Sequence, residues 1–140
     1  MTAGLFFEDL QIGQTASMGK TITEADILLY SAISMDSNPL HVDAEAAAGS
    51  QFGGRIAHGM LSAAVISAVL GTQLPGPGAI YVSQTLTFKG PVKPGDTVRA
   101  IVEITGLNPE KKRATLRTRC VVKEVVVIDG EACVLVPSRG

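Results

Sequence analysis

From His58 to Gln73 the chain carries no Asp or Glu, and Met60, Leu61, Ala63, Ala64, Val65, Ile66, Ala68, Val69 and Leu70 leave it almost no polar side. A helix apolar nearly all round has to be buried, so the rest of the chain must supply the walls around it. The sequence after Gln73 has the pattern to do so. Leu74-Pro75-Gly76-Pro77-Gly78 breaks the helix, and Ile80 to Phe88 then alternates, with Ile80, Val82, Leu86 and Phe88 on one face and Tyr81, Ser83, Thr85 and Thr87 on the other. Pro91 to Asp96 reads as a turn and Thr97 to Leu107 as a strand, with Asn108 to Arg113 as a hairpin tip. Ala114 to Ile128 and Glu131 to Val136 are predicted to form a further hairpin about Asp129-Gly130. Helices early and antiparallel strands late make an α+β domain. With 140 residues and 46% apolar ones, positions 1–140 are expected to fold as one domain around one core.

Ahead of the long helix, Gln14 to Ile22 is weakly strand-like after an Ile12-Gly13 turn. Thr23 followed by Glu24, Ala25 and Asp26 is an N-cap signature, and the helix it starts should run to about Ser34. Its apolar residues Ile27, Leu28, Tyr30, Ala32 and Ile33 are expected in the core. Asp43 can cap a short helix from Ala44 to Ala48, ended by Gly49.

The chemistry concentrates between these helices, in Asp36-Ser37-Asn38-Pro39-Leu40-His41. Fully extended, that spacing would hold Asp36 and His41 up to about 17 Å apart, too far to share a water. Pro39 fixes its own φ and keeps Asn38 out of the α region. Asn38 is also a good N-cap and Pro39 a good first helical residue. The predicted sharp entry into a helical turn folds Asp36 back toward His41. An Asp and a His on one water form an acid/base pair whose affinities for protons can be set apart by environment. Taken singly, Asp36 can be a loop cap and His41 a turn histidine. Arg55-Ile56-Ala57-His58-Gly59-Met60 opens the long helix, whose first turn offers unpaired N–H groups and the positive end of its dipole. Gly59 lets a ligand come close to that backbone, or it is simply helix-start chemistry. His58 is read as a structural residue at the helix start rather than a second base. Ser67 lies two turns beyond Gly59, along a ligand pocket or back-bonded to its own helix. Leu70 shares that side of the helix.

Asp-x-Asn-Pro-Leu-His, followed by Phe52-Gly53-Gly54-Arg55-Ile56-Ala57-His58-Gly59-Met60, resembles the MaoC-like hydratases, specifically the (R)-specific enoyl-CoA hydratases. The likeness runs from about Leu5 to the last strand. It implies a hot-dog fold, in which an antiparallel sheet wraps a long central helix, a homodimer, and reversible hydration of trans-2-enoyl-CoA to (R)-3-hydroxyacyl-CoA. By motif, Asp36 and His41 are the catalytic pair and Gly59 the amide that polarises the thioester carbonyl; beyond the motif, Ser67 and Leu70, on one side of the helix, are expected to bind substrate and limit acyl length. Many members carry Gly before the motif aspartate, where this chain has Met35. The acyl-CoA is substrate, and no cofactor or metal is expected. Arg55, or the Lys111-Lys112-Arg113 cluster, could meet phosphates of CoA or simply be solvated.

Other classes fit less well. A net charge of −1 and an absence of Trp give no case for nucleic acid. No run of 18 apolar residues occurs, so no membrane span is expected. Met1 to Asp9 lacks the basic and apolar parts of a signal peptide, which predicts a cytoplasmic protein. Cys120 and Cys133 sit in separate strand-like segments and could be neighbours, but without a secretion signal they are read as reduced. An acyl-carrier-protein dehydratase would use the same parts. A hot-dog thioesterase needs a carboxylate at the central helix, which is missing, and a binding module has no use for an acid/base pair.

Overall fold

The computed structural model describes residues 3–140; Met1 and Thr2, which begin the stretch read as lacking a signal peptide, lie outside that range. Strand β1 (Thr15–Thr21) leads into helix α1 (Glu24–Ser34), followed by two short helices, α2 (Pro39–Val42) and α3 (Ala44–Ala48), and the long helix α4 (Gly59–Thr72). Strands β2 (Ile80–Gln84), β3 (Thr87–Phe88), β4 (Thr97–Asn108), β5 (Arg113–Val122) and β6 (Val125–Leu135) complete the chain. All pairings are antiparallel, in the order β1-β4-β5-β6-β2, with β3 also on β6. The sheet curves around α4, which packs on β4, β1 and β5. This is the expected hot-dog arrangement.

The core is where two periodicities meet. Ser62, Ala63, Ile66, Val69 and Leu70 form the buried stripe of α4. Against it stand the inward residues of β4 and β5, among them Val98, Ala100, Val102, Ile104, Leu116 and Cys120. Each large aliphatic side chain placed there contributes roughly 1.5–3 kcal/mol of burial. The other side of α4 stays open in the single chain: Met60 is 52% exposed, and Ala64, Ser67 and Gly71 are exposed. An apolar helix covered on one side only asks for a second cover. Among the described residues no helix is long and apolar enough to cross a membrane.

Three expectations need correcting. Asp129-Gly130 is not a turn but sits inside β6, and the chain reverses at Lys123-Glu124, between the paired Val122 and Val125. Both turn residues take left-handed φ (49° and 69°), as the two-residue hairpin turn requires. Gly130 serves close approach instead, because a Cβ there would lie 1.9 Å from the carbonyl oxygen of Thr85. That approach falls between β2 and β3, where Ile80 to Phe88 divides in two. In α1, only Ile27 and Ser31 are buried, while Leu28 (53%) and Ile33 (82%) are exposed. The cysteines are not neighbours: Cys120 pairs with Ile128 and Cys133 with Thr115. Both are free, and burial pushes the Cys120 thiol up to about 12.

Local signals hold elsewhere. The Thr23 side chain accepts from Asp26 N–H, and the Asp26 carboxylate accepts from Thr23 N–H. Asp43 caps α3 through the amides of Glu45 and Ala46. Met35 ends α1 in the left-handed region at φ 67°, ψ 9°, the conformation glycine takes at a helix end. Met35 is 87% exposed, so it has no packing to lose. Met35→Gly should therefore raise the unfolding free energy by up to about 1 kcal/mol, and Met35→Val should lower it by a similar amount, since a β-branched side chain tolerates positive φ worst. Denaturant unfolding of the two variants checks the ordering.

Candidate active site

The turn after Met35 is built as the residue types require. Asn38 caps α2, its Oδ1 accepting from Leu40 N–H, and Pro39 fills the first helical position. One turn of helix then carries His41 back over Asp36. Asp36, His41 and His58 each offer a ligand atom, and these atoms lie within 4.8 Å of one another. Asp36 Oδ1 accepts from Asn38 N–H at 3.2 Å, and no described residue bonds Oδ2.

The two imidazoles are oriented by carbonyl oxygens, which can only accept. His41 Nδ1 lies 2.7 Å from the carbonyl of Ile56, so Nδ1 carries the proton and Nε2 keeps its lone pair for the cavity. Ile56 is held in turn, its N–H donating to Leu40 O, while Ala57 N–H donates to Val92 O. His58 Nε2 donates at 2.9 Å to the carbonyl of Asp36, which also accepts from Ser31 Oγ at 2.8 Å. The two rings stack with centroids 3.9 Å apart and planes at 28°. His58 Nδ1 and Ser62 Oγ are the buried side-chain polar atoms without a partner among the described residues.

These groups line a cavity of about 490 Å³ at the head of α4, with Gly59, Phe88 and Val92 in its walls. Gly59 is the first residue of α4, so its N–H has no acceptor within the helix. A Cβ at Gly59 would stand 2.5 Å from Cε1 of Phe88. Glycine thus lets an aromatic ring sit against the helix end. The cavity joins a carboxylate, an imidazole with a free lone pair, and a helix N-terminus facing into an apolar space. Such a set can deprotonate a water and stabilise negative charge on an oxygen nearby. Asp36, His41 and His58 could in principle hold a cation. One nitrogen of each histidine is engaged by a carbonyl, which leaves one lone pair on each ring.

Other expected positions lie elsewhere. Ser67 and Leu70 line a separate depression with Tyr81 and Val134, not this cavity, and Leu70 is a core residue. Arg55 is paired with Glu24. Lys112 lies near Glu8 and over the ring of Phe7. Phe88, Lys89, Gly90, Val92 and Ile128 also line the cavity, and their residue types alone do not mark them as site residues. The alternating pattern around Phe88 signals a strand and says nothing of which helix end it meets.

The model of the MaoC like domain matches residues 9–130 of the chain. An (R)-specific enoyl-CoA hydratase from Rhodospirillum rubrum is 62% identical over 96% of this chain and 94% of its own. A 3-hydroxybutyryl-CoA dehydratase from Methylorubrum extorquens is 50% identical over 96% of this chain and 86% of its own. Among solved structures, an unliganded R-hydratase from Pseudomonas aeruginosa superposes with a TM-score of 0.92 at 44% identity, covering 97% of this chain and 88% of that one.

The tight seat of Phe88 on Gly59 has a measurable consequence. Gly59→Ala must displace the ring, and overpacking of this kind costs about 1–3 kcal/mol. Phe88→Ala added to the same chain should recover most of that loss. Denaturant unfolding of the single and double variants checks the coupling.

Proposed function

The chain belongs to the MaoC-like domain family, and from that membership we propose that it hydrates trans-2-enoyl-CoA reversibly to (R)-3-hydroxyacyl-CoA. The observation that carries this reading is the convergence of Asp36 and His41 on a cavity whose far wall is the Gly59 helix end. One water sits between the Asp36 carboxylate and His41 Nε2. Its oxygen attacks C3 as its proton passes to the pair, and the C2–C3 π electrons move toward the thioester carbonyl. The Gly59 N–H stabilises the enolate-like oxygen; loss of a donor of this kind costs about 10²–10³-fold in rate. A proton from the pair then joins C2 as the carbonyl reforms. Nothing beyond the thioester substrate is called on, neither metal nor cofactor. Ser67 and Leu70 enter only as the wall of a depression that a long acyl tail would reach across the open face of α4.

A thioesterase would require a carboxylate on α4, and Gly59–Thr72 has none. A 3-hydroxyacyl-[acyl-carrier-protein] dehydratase would run the same chemistry on another carrier. We further propose a cytoplasmic homodimer. Strand β2 ends the sheet, with Ile80 (59%) and Val82 (43%) exposed, and the uncovered apolar side chains of α4 and α1 are of the kind a second copy buries.

With crotonyl-CoA, the protein should bleach the enoyl-thioester absorbance, release no free thiol and yield (R)-3-hydroxybutyryl-CoA. In deuterium oxide the C2 deuterium should enter on the face that receives the hydroxyl, since one pair serves both carbons. Asp36→Asn and His41→Ala should each lower kcat by about 10² or more. The double variant should be little worse than either, because groups acting as a unit do not add. Thiol release without hydration contradicts the assignment.

The assembly has its own check. Val82→Lys places a charge on the free edge and should shift the sedimentation coefficient from that of a dimer toward a monomer.

A further inference from the structure

We propose that His58 is a positioning residue of this site, clamping the main chain of Asp36 and bracing the ring of His41 without itself moving a proton; the inference rests on the hydratase reading above. The ordinary role for a residue just before a helix is capping, and His58 does not fill it: its side chain makes no cap hydrogen bond to α4. The ring instead turns away from its own helix and donates from Nε2 to the carbonyl oxygen of Asp36 at 2.9 Å, across 22 residues of sequence. Ser31 Oγ reaches the same oxygen at 2.8 Å from α1. Two donors, one in α1 and one just ahead of α4, therefore fix the peptide that carries the catalytic carboxylate. They hold it just after the left-handed Met35, where α1 has ended.

One face of the same ring lies against His41, with centroids 3.9 Å apart, and Tyr30 packs on it at 4.8 Å and 57°. His41 is thus fixed at its edge by the Ile56 carbonyl and on its face by His58. At 2% exposure, His58 is buried at the cavity wall. Its tautomer follows from its partner. A carbonyl oxygen accepts only, so the proton stands on Nε2, and Nδ1 is buried without a partner among the described residues. A proton delivered to Nδ1 would find no acceptor there, and one taken from Nε2 would break the clamp. The ring is built to stay as it is while Asp36 and His41 exchange protons.

The test uses four variants with crotonyl-CoA. His58→Phe keeps an aromatic face but loses the donor, and His58→Gln restores an N–H near the place of Nε2. His58→Phe should lower kcat by about tenfold or more while KM moves less than about threefold, and His58→Gln should regain part of the loss. Added to Asp36→Asn, His58→Phe should lower kcat no further than about twofold, because a clamp on Asp36 has nothing left to position. A role confined to folding would instead lower both backgrounds equally. The pH–rate profile of His58→Gln should keep both limbs of the wild type, and deuterium should enter the same face of C2. Unchanged kcat in His58→Phe, or full additivity with Asp36→Asn, overturns the proposal. A lost limb or a changed face overturns it too, by making His58 a proton carrier. Long-range ¹⁵N spectra of the imidazoles are independent of turnover and should place the His58 proton on Nε2; a proton on Nδ1 overturns the clamp. If wild-type protein leaves crotonyl-CoA untouched, the hydratase reading fails. The spectra, with the shift of the Asp36 amide and His41 ring signals in His58→Gln, still decide the positioning.

Discussion

The structure depends on the burial of one uncharged helix. No residue of α4, from Gly59 to Thr72, carries a charge, and the sheet strands curve around it to remove its Ile66, Val69 and Leu70 stripe from water. Burial also fixes where the helix begins. Its N-terminus stops under Phe88, beside Val92 and the Asp36 loop, so the same packing that makes the core presents the Gly59 N–H to a cavity. Stability and chemistry are two ends of a single element.

The site itself is organised by main-chain carbonyls. The carbonyl of Ile56 sets the tautomer of His41, and that of Asp36 sets the tautomer of His58. Neither histidine relies on a second carboxylate for its orientation, as many catalytic histidines do. The one carboxylate at the site has an oxygen that no described residue bonds. This arrangement makes the loops before α2 and α4 structural parts of the chemistry. It also gives α1 a part in the site: Ser31 on its buried side donates to the Asp36 carbonyl.

Local rules were readable wherever the physics acts over a few residues. The Thr23 and Asp43 caps and the Asn38-Pro39 turn follow from side chains that hydrogen-bond backbone two or three positions away. The same local reasoning misread Asp129-Gly130. A dipeptide with turn chemistry cannot show that its glycine admits a carbonyl from residue 85. The apolar residues of α1 were expected in the core because periodicity reports that a face is covered, not by what. In one chain Leu28 and Ile33 face outward.

From sequence alone came the α+β class, the central helix, the turn that brings Asp36 near His41 and the place of Gly59 at a helix start, because each is specified by residue type and short spacing. Tertiary structure decided the rest: that His58 spans to Asp36 and stacks on His41, that Phe88 sits on Gly59, that Ser67 and Leu70 border a different depression, and that the left-handed place before Asp36 is filled by Met35. The reason is one of range. Caps and turns are set by covalent neighbours, whereas these contacts join residues brought together only when the sheet closes on α4, and no spacing along the chain encodes their distance.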